Sequence, residues 1–192
     1  ADATVFSFNG NKTITCGGGG AVVGDNERII ELARHLAATA RVGQDYEHDM
    51  VGYNYRMTNL QAAVGCAQIE RLEEFVARKR YISGYYKEHL KEIAGVTFFP
   101  ETEWGESACW FTGLVLDDTR DVREICGRLA KKDIRTKPFW QPVYMQKPYV
   151  QAERSGMDVT EKLWKHILPL PASTCLTDEQ LEDVVMAVKE IL

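Results

Sequence analysis

A chain of 192 residues holds one ordinary domain or two small ones, and 45% apolar residues are enough for a packed core. A formal net charge of −5 argues against general nucleic-acid affinity, which needs a basic surface. No apolar run approaches the length that spans a bilayer as a helix, so no membrane partner is expected.

The chain opens on Ala1 and runs almost at once into strand-like sequence, which reads as the middle of a longer protein. Cys16, Cys66, Cys109, Cys126 and Cys175 are scattered and form no CxxC pair. They are expected to be reduced thiols of a cytoplasmic protein, with neither a disulfide framework nor a metal site.

Thr4-Val5-Phe6-Ser7-Phe8 alternates and is rich in strand formers. It is predicted as β, with Ser7 on the face opposite Phe6 and Phe8. Ala21-Val22-Val23 is a second short strand. Asp25 is the expected N-cap of a helix to about Ala40, with Ile29, Ile30, Leu32, Ala33 and Leu36 as its stripe. Residues 41–49 are polar and read as a loop, and residues 51–56 have no clear period.

One long helix is predicted from Thr58 or Asn59 to Ile93, stopped by Gly95. Leu60, Ala63, Val64, Ala67, Leu72, Phe75 and Val76 recur at helical spacing. Its small-residue first half is expected to pack tightly, and its charged second half to be a solvated face. Such a helix is a strut between two bodies. The expected division is residues 1–80 and residues 81–192, the second a small α+β domain.

Beyond it, a short strand is predicted at 96–99 and a longer one at 109–116. A helix is predicted from Asp118 or Thr119 through Ala130, and a further strand at 134–138. Residues 138–149 carry Pro138, Pro142 and Pro148 with Trp140, Tyr144 and Tyr149, a composition typical of a functional loop. Residues 160–166 read as a short helix and 167–171 as extended. Thr177-Asp178-Glu179-Gln180 is a capping box that opens a terminal helix to Leu192.

The chemistry concentrates at Lys12, which follows a strand and precedes Gly17-Gly18-Gly19-Gly20. A glycine run marks a sharp turn or a close approach of the backbone. The lysine there is a phosphate clamp, a Schiff-base nucleophile or a surface charge. A P-loop fails on order, because its lysine follows the glycines. A dinucleotide fingerprint lacks its strand–turn–helix setting. An amine in a partly desolvated pocket attacks carbonyls, and pyridoxal phosphate is the common partner. His35, His48, His89 and His166 read as structural or solvent-exposed.

Ser7-Phe8-Asn9-Gly10-Asn11-Lys12-Thr13-Ile14-Thr15 resembles the internal-aldimine segment of the DegT/StrS-type sugar-nucleotide aminotransferases. Gly52-Tyr53-Asn54-Tyr55-Arg56, followed by the small-residue helix, resembles that family's GxNxR hallmark. Pro142-Val143-Tyr144-Met145-Gln146 and Leu168-Pro169-Leu170-Pro171 resemble two weaker C-terminal motifs. Within the family, the Asn9-Gly10-Asn11-Lys12 context and the stretch from Trp140 to Lys147 are most similar to enzymes that aminate UDP-4-keto-6-deoxy-HexNAc, of the N-acetylbacillosamine type.

The resemblance implies an α/β fold: the C-terminal part of a PLP fold type I aminotransferase. That part comprises the edge of the large-domain sheet, a long connecting helix and a small α+β domain. It implies pyridoxal 5'-phosphate as cofactor, held by Lys12, which would also move the proton. It implies that Ser7 donates to the phosphate and that Asn54 reaches the phosphate of a partner subunit in a homodimer. Arg56, Trp140 and Tyr144 are the implied substrate contacts. The substrates would be a 4-keto nucleotide sugar and an amino-acid donor, glutamate being expected.

Three positions depart from the pattern: Gly18 where glutamate is frequent, Lys137 where arginine is frequent, and Tyr144 where histidine is common. The last two weaken a substrate role there. The family's N-terminal half, with the aspartate that pairs the pyridine nitrogen, has no counterpart in these residues. The expectation is therefore that the chain alone is not a competent transaminase. A related dehydratase replaces the lysine by histidine, which Lys12 argues against. A non-catalytic dimerisation or regulatory module is the rival of a different class.

Overall fold

The computed structural model describes all 192 residues, in two compact units, Ala1–Phe75 and Val76–Leu192. In the first, β1 (Thr4–Ser7) and β2 (Gly20–Val23) pair antiparallel, Thr4 opposite Val23 and Ser7 opposite Gly20. Helix α1 (Glu27–Ala37) follows. Its N-cap is Asn26, one residue later than the expected Asp25, and the Asn26 side chain accepts from Ile29 N–H. The expected loop 41–49 instead contains a hairpin of β3 (Arg41–Val42) and β4 (Glu47–His48). Arg41 builds it. Its Nε donates to the Asp45 carbonyl at 2.6 Å, and its guanidinium lies 4.5 Å from the centre of the Tyr46 ring.

The predicted single strut is two helices, α2 (Asn59–Ile69) and α3 (Leu72–Leu90). A capping box between Thr58 and Gln61 opens α2. At the break, Arg71 N–H bonds the Gln68 carbonyl, three residues back, at 3.2 Å. One tight turn thus interrupts the α ladder, which resumes with Phe75 N–H on the Arg71 carbonyl. Apolar spacing carries on across such a turn, so the pattern conceals it.

The second unit is built on an antiparallel sheet in the order β5 (Val96–Phe98), β6 (Thr112–Leu116), β7 (Ile167–Leu170). Val96 faces Leu116, and Leu114 faces Leu168. Helices α3, α4 (Val122–Ala130) and α6 (Asp178–Ile191) contribute to one core with it. Tyr86, Leu90, Leu114, Leu129, Leu168 and Leu181 are fully buried there. A short α5 (Asp158–Leu163) precedes β7.

Two expectations are corrected in this unit. Helix α4 opens at Asp121, whose carboxylate accepts from Arg123 and Glu124 N–H, and not at Asp118 or Thr119. Thr119 is instead held in its own turn, its N–H on the Asp117 carboxylate at 3.1 Å. Residues 134–138 form no strand. Ile134 N–H closes the end of α4 on the Leu129 carbonyl, and the Thr136 hydroxyl donates to the Pro169 carbonyl in place of a ladder. Two 3₁₀ turns follow, Val143–Met145 and Lys147–Tyr149.

Helix α3 is stitched to the segment after β7. Tyr86 hydroxyl donates to the Pro171 carbonyl at 2.9 Å, and Lys79 Nζ to the carbonyls of Ala172 at 2.8 Å and Trp110 at 3.3 Å. Lys79 is 7% exposed, and burial pushes its pKa down. Between that lowered value and the ordinary lysine range the unfolded chain holds the extra proton. This group's contribution to stability therefore rises with pH across that window. Lys79→Met is expected to flatten the rise, read as urea midpoints of the two proteins at about pH 8 and about pH 10. Leu181→Ala, at the centre of the core, is expected to cost ~2–5 kcal/mol by the same measurement.

Candidate functional site

Lys12 sits in the loop that joins β1 to β2. Phe8 N–H on the Gly19 carbonyl carries the pairing one step beyond Ser7. The chain then leaves the ladder and turns at once, Lys12 N–H bonding the Asn9 carbonyl at 3.0 Å. This places the half-buried Lys12 at a corner just past the exposed Ser7. The return path is fixed at Thr15 and Cys16. The Phe8 carbonyl accepts both the Thr15 hydroxyl at 3.1 Å and Cys16 N–H at 3.0 Å.

The loop rests on α2. Thr15 N–H donates to Gln68 Oε1 at 3.3 Å, and a Cβ placed on Gly65 would lie 2.7 Å from Cys16 Sγ. A side chain at 65 would require the Cys16 sulfur to move. The half-buried face of α2 is therefore Gln61, Gly65 and Gln68. The expected stripe is reversed: Leu60 is 83% exposed, and Val64 is also exposed. Spacing identifies the apolar face of a helix but not what covers it.

Asn54 and Arg56 belong to a second construction. The last carbonyls of a helix lack intrahelical partners. Here the segment 53–56 supplies them, Tyr53 N–H on the Leu36 carbonyl at 2.7 Å and Tyr55 and Arg56 N–H on Ala37 at 2.9 and 3.1 Å. Thr39 and Ala40 take left-handed φ values of 66° and 51° to let the segment in. A Cβ on Gly52 would lie 2.3 Å from the Thr39 carbonyl carbon. His48 Nδ1 meets the Thr39 carbonyl at 2.8 Å, and His35 Nε2 meets Asp49 at 2.7 Å, so both histidines tie this turn together.

Arg41, Asn54 and Arg56 line an open hollow of about 590 Å³ whose lining includes no carboxylate. Neither Lys12 nor Ser7 lines it. The four sequence candidates of this unit thus fall into two groups, the lysine corner and the arginine hollow. Arg41 escaped sequence reading, because a lone arginine in a polar stretch carries no distinguishing signal.

Trp140 and Tyr144 lie in the second unit. Trp140 is 55% exposed and joins Trp110, Phe111 and Phe139 in a cluster of rings. Its centroid is 4.8 Å from Phe111, edge-on, and 5.1 Å from Phe139. Trp110 and Phe111, read from sequence only as strand residues, are its missed members. Tyr144 is half-buried, its hydroxyl on Glu161 at 3.2 Å and its ring 4.8 Å from the Arg154 guanidinium. Burial first, and then the Glu161 carboxylate, push its hydroxyl pKa up. Tyr144 is therefore a neutral hydrogen-bonding group.

Gly52→Ala is expected to break the grip of segment 53–56 on α1. Amide exchange at Tyr53, Tyr55 and Arg56 should rise at least about tenfold, with the second unit's amides unchanged.

The sequence profile of the DegT/DnrJ/EryC1/StrS aminotransferases matches residues 1–189. Among curated proteins, the chain is 40% identical to the Bacillus subtilis protein named as putative pyridoxal phosphate-dependent aminotransferase EpsN, over 94% of this chain and 48% of that one. It is 33% identical to GDP-perosamine synthase of Escherichia coli O157:H7, over 98% of this chain and 51% of that one. Among solved structures, the aminotransferase TlmJ of Streptoalloteichus hindustanus superposes with a TM-score of 0.89 at 26% identity, over 99% of this chain and 52% of that one. The chain spans about half the length of the curated relatives it matches. On the profile match and the fold together, it belongs to the DegT/DnrJ/EryC1/StrS aminotransferase family.

Proposed function

We propose that this chain is the lysine-bearing half of a pyridoxal-phosphate-dependent aminotransferase acting on nucleotide sugars. The observation that carries the reading is the Lys12 corner, an amine on a fixed turn that follows Ser7 at the end of β1, braced by α2. The donor set fits the cofactor. Lys12 offers an amine for its aldehyde, and Ser7, Asn54 and Arg56 offer uncharged or cationic donors for its phosphate. The arginine hollow, with no carboxylate in its lining, suits an anion.

Bound pyridoxal phosphate supplies the electron sink that lets a carbon beside nitrogen lose and regain a proton. Lys12 would hold the cofactor until an incoming amine displaces it, and the freed amine would then move that proton. Ser7 orients the phosphate at the end of β1. Because Asn54 lines a hollow apart from Lys12, it serves the cofactor phosphate of a second subunit in a homodimer, and Arg56 beside it contacts the substrate. Trp140 and Tyr144 border the sugar nucleotide. The substrate is a 4-keto-6-deoxy-HexNAc nucleotide, of the N-acetylbacillosamine type, and glutamate is the amino donor.

The resemblance places the aspartate that pairs the pyridine nitrogen in a part of the family pattern with no counterpart in these residues, and on that reading the 192-residue chain alone would not turn over. Val5, Val51, Leu60 and Tyr55 are highly exposed apolar residues of the first unit, which supports burial of that surface in the working assembly.

Two measurements separate the parts of this reading. In the complete polypeptide, borohydride reduction with pyridoxal phosphate is expected to fix the cofactor's mass on the peptide bearing Lys12, and Lys12→Ala to abolish it. Label on any other lysine would remove the site. Assayed with a 4-keto nucleotide sugar and glutamate, the 192-residue chain alone is expected to show no turnover. Steady turnover by it would remove the half-site statement.

A further inference from the structure

The lysine corner and the arginine hollow are separate spaces, but one stretch of chain, residues 53–68, touches both. Its first four residues close the end of α1 and carry Asn54 and Arg56. Met57 comes next and is half-buried: a Cβ on Gly19 would lie 3.1 Å from its Cε. The contacts then continue down α2. A Cβ on Gly18 would lie 3.6 Å from Gln61 Nε2, the Cys16 sulfur sits over Gly65, and Thr15 N–H donates to Gln68 Oε1. Residues 57, 61, 65 and 68 are three or four apart, the spacing of one helix face. They meet loop residues 19, 18, 16 and 15 in that order, so the loop runs back along α2 against its direction.

Each construction holds one of the unit's buried apolar side chains, Cys16 in the loop and Ala40 in the turn that receives Gly52. With so little apolar burial, local opening requires little free energy. Gln61 joins the two constructions at the start of α2. Its Oε1 accepts Thr58 N–H at 3.1 Å in the capping box, and its Nε2 lies beside Gly18. Lifting segment 53–56 off α1 therefore displaces Met57 and the first turn of α2, on which the loop rests.

We propose, on the reading of the arginine hollow as an anion site, that the hollow and the lysine corner open and close as one unit, so that an anion held in the hollow orders Lys12. An anion that needs Asn54 and Arg56 in place binds the closed state alone, and it shifts the opening equilibrium by its own binding free energy. The coupling is reciprocal: a loop held closed tightens the hollow. Where Asn54 serves the cofactor phosphate of a second subunit, filling one site readies the lysine of the other.

The test is amide hydrogen exchange of the full 192-residue chain in inorganic phosphate, with the ionic strength held constant by chloride. At phosphate about tenfold above its dissociation constant, exchange at Tyr53 and Tyr55 is expected to slow about tenfold. Lys12, Thr15 and Cys16 are expected to slow by the same factor to within about twofold, and Leu114 of the second unit not at all. Arg56→Gln is expected to remove both effects. Met57→Ala combined with Gln68→Ala removes the contacts at both ends of the row. This double variant is expected to keep the slowing at Tyr53 and Tyr55 and to lose it at Lys12 and Cys16. The proposal is overturned if Tyr53 and Tyr55 slow while the loop does not, or if the double variant responds as the parent does. Loop slowing that persists in Arg56→Gln overturns it too, because phosphate would then reach the lysine corner directly. If phosphate slows neither group of amides, the anion reading of the hollow falls and the proposal with it.

Discussion

The contact on which the first unit depends is the seat of the lysine loop on helix α2. A loop between two short strands has no reason to hold one shape, and the glycines of this one add freedom. What removes that freedom is Cys16 over Gly65, Thr15 on Gln68, and two donors converging on the Phe8 carbonyl. The corner that carries Lys12 is fixed from both sides by these bonds. A side chain at 65 would force the Cys16 sulfur aside and remove this part of the seat. The polar glutamines and one glycine of α2, rather than its leucines, are therefore the residues that serve the site.

The arginine hollow is made by a different device with the same economy. A helix end leaves carbonyls in need of donors, and an extended segment with free N–H groups meets that need. Joining the two puts Asn54 and Arg56 beside Arg41 without any apolar core beneath them. Backbone pairing is indifferent to side-chain identity. It leaves the side chains of 53–56 available for chemistry, while Gly52 and the left-handed Thr39 and Ala40 bear the steric cost of the junction.

Much of the second unit was legible in the sequence, because its signals are local. The capping box at Thr177, the Leu168-Pro169-Leu170 strand and the apolar stripe of α4 each declare themselves within a few residues. The Lys12 and Asn54 segments were legible through their motifs. What stayed hidden depends on contacts distant in sequence. The break at Arg71 preserves apolar phase, the hairpin at Arg41 rests on side-chain-to-carbonyl bonds, and the ring cluster joins Trp110 to Trp140 across a helix and a loop. The direction faced by α2 was the largest reversal. A pattern reports which residues are apolar, whereas the neighbour decides which are covered.

The distribution of burial has a kinetic meaning. Among the buried apolar residues, only Cys16 and Ala40 belong to Ala1–Phe75, and the others lie in Val76–Leu192. The two ladders therefore differ in what must happen before solvent deuterium reaches them. A peptide hydrogen in β6, between two strands and against a filled core, is released when the whole unit opens. One in β1 needs only the parting of a single pair of short strands. As a free chain, the unit that bears Lys12 is thus the one that frays more readily. The turn at Lys12 is seated on α2, but it springs from a strand pair with little burial beneath it.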